Sequence, residues 1–127
     1  MIFYGRKYLL GTAMKYQQTA VLLTDIELAL KSLAMWHPSP PTADALASSA
    51  PFCCDTLHLS QWLQFIFLPR MRALIEGQLP LPANICICPI AEEAFAPLTA
   101  VKLPLINRIA DLDELLSGRR EQQSARS

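Results

Sequence analysis

The chain has 127 residues, 52% hydrophobic and 17% charged, and its 11 Lys and Arg balance its 11 Asp and Glu. One domain of this size buries about two-thirds of the surface its unfolded chain exposes, so folding requires neither a disulfide nor a metal. A zero net charge argues against direct nucleic-acid binding, which draws its affinity from phosphate contacts. No apolar run reaches the roughly 18 residues a membrane-spanning helix needs.

The N-terminal stretch carries Ile2, Phe3, Tyr4, Tyr8, Leu9 and Leu10, but Gly5 and Gly11 are expected to interrupt any helix there. Gly5, Arg6 and Lys7 also break the apolar stretch that a signal peptide needs, so a reducing, cytoplasmic setting is expected. Residues 1–13 read either as a docking arm or as an upstream extension with Met14 the natural start, and the second reading is preferred.

Residues 15–36 form the first clear helix. Leu22, Ile26, Ala29, Leu33 and Trp36 make a stripe that must face a core. Glu27 and Lys31 stand in the favourable order for an ion pair one turn apart. The helix is expected to stop at His37, because Pro38 disfavours helical backbone in the residue before it. Residues 38–51 read as a linker in which Thr42 caps a short helix reaching toward Ser49, ended by Pro51.

Residues 57–76 carry the strongest signal. The run Trp62-Leu63-Gln64-Phe65-Ile66-Phe67-Leu68 is apolar almost all round and predicts a central, enclosed helix. Pro69 offers no N–H to the Phe65 carbonyl, so a kink is expected there. Gly77 is the natural C-terminal cap. Leu79-Pro80-Leu81-Pro82 reads as a stiff extended arm. Ile85-Cys86-Ile87-Cys88 alternates like a strand but has no partner strand, so no sheet is expected. A short helix over 90–96 is limited by Pro97. The last helix spans 104–117, with Leu105, Ile109, Leu112 and Leu116 as its stripe and Gly118 beyond its end. Residues 119–127 read as a polar, frayed tail. The predicted fold is therefore all-α: one domain over 14–118, a compact bundle of three long helices plus one or two short ones, with the central helix kinked at Pro69.

Pro51-Phe52, Asp55-Thr56-Leu57, Gln61-Trp62-Leu63-Gln64, Phe67-Leu68-Pro69-Arg70-Met71, Leu81-Pro82, Pro89 and Glu92-Glu93-Ala94-Phe95 together resemble the YqcC-like family of small proteobacterial proteins of unknown function. The resemblance runs from about residue 20 to 117 and leaves the first 13 residues outside it. It implies a small helical bundle. It also implies a link to tRNA modification, because genes of this family often lie beside that of a tRNA pseudouridine synthase of the C type. That enzyme is the expected partner.

Pseudouridine synthesis by this chain alone is not expected. Asp25, Asp44, Asp55, Asp111 and Asp113 are its aspartates, and none sits in the Arg-, Leu- and Gly-rich setting such enzymes show. Cys53-Cys54 and Cys86-X-Cys88 lack the spacing of zinc turns and read as small apolar side chains. No metal or cofactor is expected. His37 and His58 have no evident partner and read as surface groups. Glu92 and Glu93 read either as carboxylates at the positive end of a short helix, or as a source of one structural ion pair with Arg70. Gln61, Gln64 and Arg70 either line a polar-floored groove with Trp62, suited to a peptide or partner helix, or bond carbonyls freed beside the kink. A contact face bordering Trp62, Phe67 and the Leu79–Leu81 arm is expected. The alternative is a small-molecule or catalytic pocket floored by Asp55, Gln61, Arg70 and Glu93. The sequence does not define the oligomeric state.

Overall fold

A computed structural model describes residues 2–124, with side chains from Ala13 onward. Six α-helices appear in chain order: α1 (Ile2–Ser32), α2 (Ala43–Leu46), α3 (Leu59–Trp62), α4 (Leu68–Glu76), α5 (Cys88–Ala94) and α6 (Leu103–Ser117). A 3-10 turn covers Pro51–Cys53, and a π-helical turn, Leu63–Phe67, joins α3 to α4 without a break. No strand occurs among the described residues, as expected for the Ile85–Cys88 segment.

The first helix departs from the sequence reading at both ends. It runs through Gly5 and Gly11. The side chains of the apolar residues 2–10 lie outside the described residues. It ends at Ser32 rather than His37. Ala34 turns into left-handed backbone with φ 58°, Met35 N–H reaches Leu30 O at 2.8 Å, and Ala34 N–H reaches Lys31 O at 3.1 Å. That paired bonding closes the helix before Pro38 can act on it.

The core face of α1 is also rotated. Thr19, Leu23, Ile26 and Leu30 are fully buried, whereas Leu22, Ala29, Leu33 and Trp36 pack along the core's margin. Thr19 belongs to the buried stripe because its hydroxyl donates to Lys15 O at 2.7 Å and so leaves no polar group unpaired. The predicted Glu27–Lys31 pair forms at 2.7 Å, and Arg72 of α4 joins Glu27 at 2.7 Å from across the bundle.

The central segment is helical from 59 to 76. Leu59, Ser60, Leu63, Gln64, Phe67, Leu68 and Met71 are buried. The disturbance expected at Pro69 takes the form of the π turn just before it, where Leu68 N–H bonds Leu63 O. A turn already widened by one residue accommodates the missing proline donor at small cost. Gly77 caps α4, but its own φ is −82°. Gln78 takes the left-handed position, with φ 54°.

Thr42 caps α2 as predicted, accepting Ala45 N–H at 3.2 Å, although that helix stops at Leu46 and Pro51 opens the 3-10 turn. Leu105, Ile109, Leu112 and Leu116 of α6 are all buried, and Gly118 closes the helix with φ 79°. α1 packs on α6 and α4, and α5 packs on α6.

The tail departs from expectation too. Instead of fraying, residues 120–124 lie back on α5 and α6, where Glu92 accepts the backbone N–H of Gln123 at 3.0 Å and Gln122 donates to Asn107 Oδ1 at 2.7 Å. Residues 125–127 lie outside the described residues.

Candidate functional site

Two of the six candidate residues meet in one place. Trp62 and Arg70 line an open groove of about 280 Å3 with Phe67, Met71 and Leu74 on the helical side. Phe52 and the segment from Pro82 to Ile87 form the other wall. Phe52 has left-handed backbone with φ 57°, and its ring stands edge-on to Trp62, with centroids 4.7 Å apart. Trp62 stacks on Phe67 at 5.2 Å. The helical side thus presents a prebuilt aromatic surface whose rings brace one another.

The Leu79–Leu81 arm itself, expected in the contact face, does not line the groove, and the chain that runs from it into the opposite wall is fastened at both ends. Tyr16 of α1 donates to Leu79 O at 2.7 Å. At the far end, Asp113 of α6 accepts Ile87 N–H at 2.9 Å and Cys88 N–H at 2.8 Å through one carboxylate oxygen. Asp113 is 1% exposed, and its other oxygen has no hydrogen-bond partner. Burial therefore raises its pKa, against the lowering effect of the two N–H groups. The groove wall is thus anchored on a buried carboxyl group whose charged form is costly.

The remaining candidates are engaged elsewhere. Asp55 is exposed and accepts the Ser48 hydroxyl. Gln61 closes a capping box at the start of α3, its Oε1 accepting His58 N–H at 3.0 Å. Gln64, 7% exposed, holds the backbone of His37 from both sides: it accepts His37 N–H and donates to His37 O, each at 2.8 Å. Its partner is a distant backbone unit and not a carbonyl freed at the kink. Glu93 is exposed, away from the groove lining. The expected pair between Arg70 and Glu92 or Glu93 does not form, because Glu92 is occupied by the tail. Arg70 makes no ion pair among the described residues and is the one charged side chain of the groove. The polar convergence that a small-molecule pocket requires is missing.

His37 and His58, which have no evident partner in the sequence, meet through Ser60. His37 Nε2 lies 3.2 Å and His58 Nδ1 3.0 Å from Ser60 Oγ. His58 Nδ1 also accepts Ser60 N–H at 3.2 Å. Ser60 is 3% exposed, and this chain of bonds fastens the linker to α3.

The cysteines do not converge as metal ligands. Cys53 and Cys88 are buried while Cys54 and Cys86 are exposed, and no group of three His, Cys, Asp or Glu among the described residues is placed to hold an ion. Burial, then the Glu92 and Asp113 charges, push the Cys88 thiol up to about 12, which keeps it protonated at neutral pH. No carboxylate lines the groove, and no described helix is long and apolar enough to cross a membrane.

The described residues thus form an all-helical bundle with an open groove lined by aromatic and aliphatic side chains, beside Arg70 and the exposed thiol of Cys86. Residues 18–115 match the family model DUF446, described as tRNA pseudouridine synthase C. The chain belongs to this YqcC-like family. An uncharacterized protein of Haemophilus influenzae is 37% identical over 98 residues, covering 77% of this chain and 92% of that protein. The uncharacterized protein YqcC of Escherichia coli K12 is 26% identical over 102 residues, covering 80% and 94%. The solution NMR structure of Escherichia coli YqcC superposes with a TM-score of 0.72 at 24% identity, covering 88% of this chain and 96% of that one, which supports the fold. A protein of Pectobacterium carotovorum named tRNA pseudouridine synthase C is 42% identical over 71 residues, which span 56% of this chain but only 19% of that protein.

Proposed function

We propose that this chain is a non-catalytic interaction module that docks on a C-type tRNA pseudouridine synthase through the Trp62 groove. The observation that carries this reading is the partial likeness to the Pectobacterium protein. The shared segment takes up 19% of that longer chain, which leaves most of it for a separate catalytic body. A helical module that occurs within a synthase-named chain in one bacterium and as a small protein in another fits two parts of one assembly. The groove suits the role, since it offers braced aromatic rings and one unpaired cation to an apolar partner segment. The synthase would supply the RNA-binding charge that this chain lacks.

The test is co-purification of the untagged chain with the tagged synthase of the same host, alongside Trp62→Ala and Arg70→Glu variants. A complex weakened at least about tenfold by each substitution supports the reading. Failure of the wild-type pair to associate, with tRNA pseudouridine unchanged on deletion of this chain, removes it.

A further inference from the structure

The C-terminal segment is bound to the bundle much as a peptide is bound to a receptor. Residues 120–124 make a series of polar contacts across α5 and α6. Arg120 reaches Asp111 and lies 3.3 Å from Glu114, and its guanidinium is mostly buried. Gln122 donates to Asn107 at 2.7 Å, and its Oε1 accepts Arg120 Nε–H at 2.9 Å. Glu92, 9% exposed, takes the consecutive backbone N–H groups of Gln123 and Ser124 on one carboxylate.

The receptor groups belong to the bundle. Glu92 lies on α5, and Asn107, Asp111 and Glu114 lie on α6. Their matched residues are the peptide's: an arginine, then a side-chain amide, then two backbone N–H groups. A buried carboxylate that reads backbone N–H imposes no side-chain identity at those positions, whereas Asp111, which also holds Arg108 of its own helix at 3.0 Å, and Glu114 favour a cation. The segment lies beyond residue 115, where the match to the family model ends, whereas Glu92, Asn107, Asp111 and Glu114 lie within it.

We infer that the α5–α6 face is a binding site for an extended, arginine-bearing peptide, and that this chain's own residues 120–124 occupy it in cis. The site takes a basic, extended segment and is distinct from the aromatic groove. It stands whether or not the groove binds a synthase.

The test uses the full chain. Arg120→Ala with Gln123→Pro and Ser124→Pro removes the cation and both N–H donors, so the tail leaves while every receptor group remains. Thermal unfolding checks that this variant is folded. A synthetic peptide of residues 119–124 is then titrated into the 15N-labelled variant and into wild type. The expected result is saturable shifts at Glu92, Asn107 and Asp111 in the variant. Because a tethered segment competes at an effective concentration in the millimolar range, binding to wild type is expected to be at least about tenfold weaker. Adding Glu92→Gln to the variant is expected to weaken the peptide about tenfold, since a neutral amide oxygen accepts less strongly than a carboxylate. A peptide carrying alanine in place of its second arginine is expected to bind as weakly. Shifts that never saturate in the detached variant, or equal binding to wild type, overturn the proposal.

Discussion

The α5–α6 face and the aromatic groove are finished in opposite ways. On the α5–α6 face, Glu92, Asp111 and Asn107 are all met by the chain's own tail. In the groove, Arg70 is exposed and Trp62 is half-buried, with the rings of Phe52 and Phe67 packed against it. The same bundle therefore seals a polar surface with its own peptide and leaves an apolar one open. A closed polar face adds stability through charge-assisted bonds. An open aromatic one costs some exposed apolar area and gains a place to dock. Asp113 links the two regions, because it fixes both the end of the groove wall and the start of α5.

Cutting that link is expected to have the largest effect. Asp113→Ala strands two buried N–H groups and should lower stability by about 3 kcal/mol, measured by urea unfolding. A loss below about 1 kcal/mol would mean that the groove wall does not depend on α6. Next comes Trp62→Ala, which removes two ring contacts from a partly buried site and should cost about 2 kcal/mol.

The tail is expected to matter less and to depend on pH. Burial raises the Glu92 pKa, but the N–H groups of Gln123 and Ser124 outweigh burial and hold it below its ordinary 4.5. A carboxylate whose folded pKa is lowered contributes fully above the unfolded value and loses that contribution as pH falls through the folded one. The stability difference between wild type and Glu92→Gln should therefore be constant at neutral pH and shrink below 4.5. A difference that grows in acid would contradict the tail geometry. Asp113 works in the opposite sense, because its raised pKa makes its charged form a cost that eases as pH falls through the folded value. It is present in both proteins and largely cancels from their difference. The smallest effect separates the two arginines: Arg120→Ala should cost about 1 kcal/mol through its buried contacts, whereas Arg70→Ala should stay within about 0.5 kcal/mol.

The parts of this design that were legible in the sequence are those in which one residue type has one local job. Thr42 as a cap, Gly118 just beyond the last helix and the Leu105–Leu116 stripe all turned out as read. The end of α1 was hidden because Ala34, and not glycine, takes the left-handed position. The rotated α1 face was hidden because Thr19 satisfies its hydroxyl locally and so can be buried. In the candidate site, Trp62 and Arg70 line one groove. Asp55, Gln61 and Gln64 do not join them, because each is bound to a partner that periodicity does not reveal. Asp113 and Glu92 gain their roles only when segments distant in sequence come together. No local pattern announces that.

The π turn at Leu63–Phe67 also constrains how this chain can change length. Residues on the inner side of the segment recur every fourth position, at 59, 63, 67 and 71. A regular α-helix would swing such a series sideways by about 40° at each step. The wide turn absorbs part of that swing. Deleting one residue from it would give a better-bonded helix, yet everything downstream would turn by about 100°. Met71 would leave the interior, and Arg70 would leave the groove. A more regular rod at this point would be a worse fit to its neighbours.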